Sequence, residues 1–160
     1  MNNGISSSAS NHRYCVISST KNIGKETVDY KLKTMKKIIK TQDAPAPIGP
    51  YNQAIMSGGT LYISGQIAIN PVSGEMTTAD IAEETEQVMR NLKAILEAAG
   101  MGFEHVVKSS IFISDMNNFS KINQVYAKYF DDATAPARET VEVANLPKFV
   151  NVEISMIAIQ

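Results

Sequence analysis

The chain has 160 residues, 44% of them hydrophobic and 19% charged, proportions that suit one globular domain large enough to bury a core. No uncharged apolar run approaches the roughly 18 residues that a membrane span needs, and a single cysteine with two histidines excludes both an intrachain disulfide and a structural zinc cluster. The net charge of −1 is unevenly divided. Residues 1–35 carry five basic groups against two acidic ones, and the remainder ten against fourteen, so the core lacks the basic footprint of a nucleic-acid binder.

The first 25 residues contain no acid and are rich in Ser, Thr and Asn, a composition that cannot bury enough apolar surface to order itself. Residues 1–34 are therefore expected to be a disordered leader. Their makeup also fits an organelle transit peptide. A cytoplasmic location is expected, or a mitochondrial or plastid one if the leader is such a peptide. Cys15 falls in this leader, and no fold places a histidine beside it.

Residues 35–160 are expected to form a single domain. KKIIKT (36–41) reads as a short strand, and QDAPAPIGPYNQA as a rigid extended loop set by three prolines and Gly49. TLYISGQIAI (60–69) reads as a strand interrupted at Gly65. Ile81, Val88, Leu92, Ile95 and Ala99 keep one face of a helix apolar from Asp80 to Ala99. Asp80 is suited to the N-cap and Gly100 to the position just past the C-cap. VVKSSIFI (106–113) is the next strand. A second helix runs from Asn118 to Phe130, and two more strands cover 139–144 and 150–159.

Two helices and one sheet imply a two-layer α+β domain with both helices on one face. In the last strand Val150, Val152, Ile154, Met156 and Ala158 share one face; Asn151, Glu153, Ser155, Ile157 and Ile159 share the other. Ile157 and Ile159 make that second face too apolar for water, which implies a homo-oligomer.

An antiparallel hairpin of the last two strands would pair Thr140 with Glu153 and set Arg138 near Glu153 on the helix-free face. A guanidinium there can grip a carboxylate with two parallel hydrogen bonds, and a carboxylate can deprotonate a water. The simpler account of the same pattern is an internal Arg138–Glu153 ion pair. Periodicity favours the ion pair.

The strings APIGPYNQA (46–54), YISGQIAI (62–69), INQVYAKYF (122–130), PARETVEVANLP (136–147) and VEISMIAI (152–159) carry further information. In that order and spacing they resemble the Rid/YjgF family of reactive-intermediate deaminases, also called the endoribonuclease L-PSP family, over about Met35 to Gln160. The likeness is strongest to the RidA subgroup, whose hallmark arginine is matched by Arg138.

The resemblance implies a chorismate-mutase-like two-layer sandwich that assembles as a homotrimer, with sites between neighbouring subunits. It implies hydrolysis of 2-aminoacrylate and 2-aminocrotonate, as the imines 2-iminopropanoate and 2-iminobutanoate, to 2-oxo acids and ammonia without a cofactor. The implied catalytic residues are Arg138 as carboxylate clamp, Glu153 as the group that directs water, and Tyr51 closing the pocket. Ser64, Gly65, Asn123 and Thr140 are the implied substrate contacts. Thr140 departs from the pattern, since many relatives have cysteine there. A water-based mechanism does not need that thiol.

Family members described as single-strand ribonucleases supply one alternative function. A non-catalytic trimer that binds small carboxylates supplies another. The acidic core argues against strong RNA binding.

Overall fold

The computed structural model describes residues 36–160; the leader, with Cys15 and His12, lies outside the described residues. Six strands form one sheet: β1 (Lys36–Ile39), β2 (Ala54–Ser57), β3 (Thr60–Gln66), β4 (Val106–Ile113), β5 (Ala137–Glu142) and β6 (Val152–Ile159). Two helices, α1 (Ile81–Ala98) and α2 (Phe119–Tyr126), complete the layers. The spatial order is β1-β2-β3-β6-β4-β5. Only β4 and β5 run parallel.

Helix α1 begins and ends where local chemistry dictates. Asp80 is extended, and its side chain accepts the Ala82 N–H at 3.2 Å, satisfying one of the donors a helix start leaves open. Gly100, at φ 74°, turns the chain out of the helix, a conformation that an L side chain resists. The strand β2 escapes the sequence pattern, because the proline-rich loop hides its four residues. Its signal was Gly58–Gly59, both at positive φ between Ser57 and Thr60, which pair across the turn; a two-residue hairpin requires that geometry.

The expected hairpin of β5 and β6 does not form, and the expected register of Thr140 with Glu153 falls with it. β5 follows β4 through the α2 crossover and pairs with it in parallel, Thr140 opposite Ile111 and Arg138 opposite Ser109. β6 inserts between β3 and β4 instead. A central position gives β6 two ladders of hydrogen bonds, and its Val152, Ile154, Met156 and Ala158 are all buried. An edge hairpin offers half of that.

The core lies between this sheet face and the helices. Leu61, Ile111, Ile113 and Ile154 meet Val88, Leu92, Ile95 and Leu96 of α1 and Ile122 of α2. A buried polar tie crosses the layers. Glu84 of α1, fully buried, accepts hydrogen bonds from Asn151 N–H (2.7 Å), Asn151 Nδ2 (2.8 Å) and Val152 N–H (3.3 Å). These bonds fix the start of β6, one residue before Glu153.

Among the described residues no helix covers the opposite sheet face. Ile38, Ile55, Tyr62 and Ile157 line up across four strands, and Ile38 and Tyr62 are about half exposed. Farther along, Glu139 on β5 bonds to Lys108 and Ser110 of β4; the Lys108 hydrogen bond leads in holding its carboxyl below the usual range.

The link from β5 to β6 contains strain. Lys148 and Phe149 both adopt positive φ, 59° and 57°, at a cost of about 1–3 kcal/mol for each such residue. The Phe149 ring is 83% exposed, so little packing compensates. Phe149→Gly is expected to raise stability by about 1 kcal/mol, the relieved strain exceeding the added chain entropy of glycine. Denaturant unfolding measures the gain.

Candidate active site

All the site residues singled out in the sequence except Thr140 divide between two cavities. Glu153, Tyr51, Ser64 and Gly65 line the first, together with Ile48, Ile67 and Pro147, around a volume of about 370 Å³. Arg138 and Asn123 line the second, with Tyr126, Phe130, Asp132 and Pro136, around about 330 Å³.

The first cavity is built on a bulge. Ile63 pairs with Met156 but Gln66 with Ile154, so β3 spends one extra residue at Ser64–Gly65. The bulge brings the backbone against Glu153: a Cβ on Gly65 would sit 2.7 Å from Glu153 Cδ. Glycine is required here by close approach. Burial pushes the Glu153 carboxyl above the usual carboxylate range, because a low-dielectric wall disfavours the charged form. Among the described residues no ion pair engages Glu153.

Gln53 organises the loop that carries Tyr51. Its Nε2 donates to the carbonyls of Thr41, Ala44 and Pro45 at 2.9–3.0 Å, and its Oε1 accepts the Thr41 N–H at 2.8 Å. Ser64 then ties the bulge to that loop. Its hydroxyl donates to Asn52 O (2.7 Å) and its N–H to Gln53 O (3.0 Å), leaving the hydroxyl oxygen as an acceptor. Tyr51 lines the cavity, and among the described residues its hydroxyl accepts only the long Ile48 N–H bond, 3.3 Å.

The second cavity lies at the sheet edge under α2. Phe119, Asn123 and Tyr126 follow the i, i+4, i+7 spacing of one helix face. Arg138 Nη1 donates to Asn123 Oδ1 at 2.7 Å, and the guanidinium carbon lies 5.0 Å from the Tyr126 ring centre and 5.9 Å from that of Phe119. Such aromatic faces attract a cation. Among the described residues Arg138 forms no ion pair, so donors of its fork are not taken up by a carboxylate. Thr140, two residues along the strand, has a buried hydroxyl with no hydrogen-bond partner among the described residues.

The common face expected for Arg138 and Glu153 is corrected by the register. Arg138 pairs through Ser109 with Met156, on the helix-covered face; Glu153 pairs with Phe112 on the open one. The internal ion pair is excluded for the same reason. The stacking of Phe119 and Tyr126 on Arg138 is not foreseen by the sequence reading, although their spacing about Asn123 was its signal. Glu142 accepts the Met116 N–H (2.7 Å) and His105 Nδ1 the Gly102 N–H (3.0 Å).

Gly65→Ala tests the bulge. The added methyl meets the movable end of the Glu153 side chain, so the fold is expected to survive within about 1–2 kcal/mol while the carboxylate is displaced. Thermal unfolding and a catalytic assay together check that separation.

A six-stranded sheet with both helices on one face, a guanidinium at its edge that forms no ion pair among the described residues and a half-buried carboxylate on its open side define an α+β protein of the YjgF type. The family model described as endoribonuclease L-PSP matches residues 41–160, and the chain belongs to this Rid/YjgF family. A RutC family protein of Pyrococcus horikoshii is 52% identical over 124 residues, covering 78% of this chain and 98% of the relative. The 2-iminobutanoate/2-iminopropanoate deaminase of Homo sapiens is 43% identical over 126 residues, covering 79% and 91%. Among solved structures, Escherichia coli TdcF with bound serine aligns with a TM-score of 0.73 at 44% identity, over 78% of this chain and 98% of that one.

Proposed function

We propose that this protein hydrolyses 2-imino acids, 2-iminobutanoate and 2-iminopropanoate, to 2-oxo acids and ammonia. The observation that carries the reading is the division, between two cavities on opposite faces of the sheet, of a guanidinium with no ion pair among the described residues and a half-buried carboxylate. Each cavity is half of a site for a small imino carboxylate. A neighbouring copy, docked on the exposed apolar face, would bring its Arg138 to this chain's Glu153. A homotrimer with sites between subunits satisfies that demand.

The chemistry follows from the parts. Arg138 holds the substrate carboxylate through the fork and so fixes the imine carbon. Glu153 takes a proton from water as the oxygen attacks that carbon, and the imine nitrogen is protonated. The resulting carbinolamine collapses: the C–N bond breaks, ammonia leaves, and the hydroxyl proton is lost to give the 2-oxo acid. Asn123 steadies Arg138. Tyr51 covers the pocket, and Ser64 offers an acceptor to water or to the N–H of the imine. Every atom is supplied by substrate and water, so no cofactor is needed. The human and bovine relatives that bear the deaminase name support this reading, as does serine bound to TdcF.

The test supplies 2-aminocrotonate from threonine by a dehydratase and follows 2-oxobutanoate formation. A rate that rises with the amount of this protein is expected; a rate independent of it over a wide range would overturn the proposal.

A further inference from the structure

The guanidinium that grips the substrate is only as well aimed as the surface it lies on. Tyr126 is that surface: its ring centre is 5.0 Å from the Arg138 guanidinium carbon, yet the residue is only 4% exposed. Two contacts set the plane of this ring. Its hydroxyl donates to Ser109 Oγ at 2.9 Å, and its face lies against Phe130 with centres 4.6 Å apart at 32°.

Ser109 is fully buried on β4, directly opposite Arg138 in the parallel register. The sheet therefore fixes Ser109, Ser109 fixes the far end of the Tyr126 ring, and the ring backs the guanidinium. Asn123 takes one donor from the edge, at Nη1. A carboxylate bound to the fork must lie near the guanidinium plane for two parallel bonds, so a shift of the ring that backs the guanidinium would carry the bound carboxylate with it.

We propose that the buried Tyr126–Ser109 hydroxyl pair is a positioning device for Arg138 that sets substrate affinity without touching substrate. The inference rests on the imine-hydrolase reading. Neither hydroxyl has another evident task, and each is out of contact with solvent. A phenylalanine could fill the same space, but its ring would lack the tether.

The experiment compares wild type with Tyr126→Phe, Ser109→Ala and Tyr126→Leu. It reads kcat and KM for 2-iminobutanoate, calorimetric Kd for the product 2-oxobutanoate, and thermal unfolding. The first two variants are expected to raise KM and Kd about fivefold, the worth of one hydrogen bond, with kcat within about twofold. Tyr126→Leu, which also removes the stacking face, is expected to exceed tenfold. In an Arg138→Ala background, Tyr126→Phe is expected to change Kd no further.

A fall in kcat or thermal stability with KM and Kd unchanged would show a merely structural pair and overturn the inference. An equal effect of Tyr126→Phe with and without Arg138 would overturn it as well. If wild type neither binds 2-oxobutanoate nor hydrolyses the imine, the imine-hydrolase reading itself falls, and this inference with it.

Discussion

Arg138→Ala is expected to lower kcat/KM for 2-iminobutanoate by at least about 100-fold, since it deletes two charge-assisted hydrogen bonds worth roughly 1.5–3 kcal/mol each. Truncation should not disturb folding. The guanidinium forms no ion pair among the described residues, and its side chain lies at an exposed edge. Circular dichroism and unfolding curves near those of wild type, with both KM and kcat impaired, are the predicted pattern. Arg138→Lys is an informative companion. A lysine keeps the charge but has no fork, so it should recover only part of the loss. Full activity in the alanine variant would dismiss the clamp.

Glu153→Gln acts on the other half of the site. Loss of a general base costs about 100- to 10,000-fold, and here the loss should appear in kcat rather than in substrate affinity. The wild-type pH profile gives an independent check. Because burial raises the Glu153 carboxyl above its ordinary value of 4.5, the acid limb of activity should lie at higher pH than for an exposed glutamate. That limb should vanish in the glutamine variant.

Stability should move the other way. Below pH 4.5 the carboxyl is protonated in folded and unfolded chains alike, and its contribution is intact. As pH rises toward and through the folded-state value, the unfolded chain ionises first and the contribution is lost. Glu153→Gln should therefore gain on wild type across that window and be at least as stable at neutral pH. A site residue that costs stability is a common mark of function.

Much of this could be read from residue order. Helix α1 announced itself through its apolar stripe, Asp80 and Gly100, all of them local signals. The alternation of β6 assigned every side chain in it to the correct face. Strand neighbours were not legible, because no residue within 137–159 records that β4 offers β5 a free edge and that β3 and β4 leave a gap for β6. A hairpin is the default for sequential strands, and the α2 crossover overrode it. Arg138 and Glu153 were thus singled out together but placed wrongly on one face. Register errors of this kind invert geometry without changing composition.

The central position of β6 has a consequence for how the polypeptide reaches its final form. This strand is the last of the sheet to leave the ribosome, yet β3 and β4 both depend on it for pairing. Without it the remaining pairings divide into two groups, β1-β2-β3 and β4-β5, each with an unpaired inner edge. Contacts that distant in sequence form late, and unpaired edges invite misassociation meanwhile. The Glu84 tie to Asn151 and Val152 then works as a latch that seats the incoming strand, and the pocket around Glu153 comes into being in the same closing step that completes the domain.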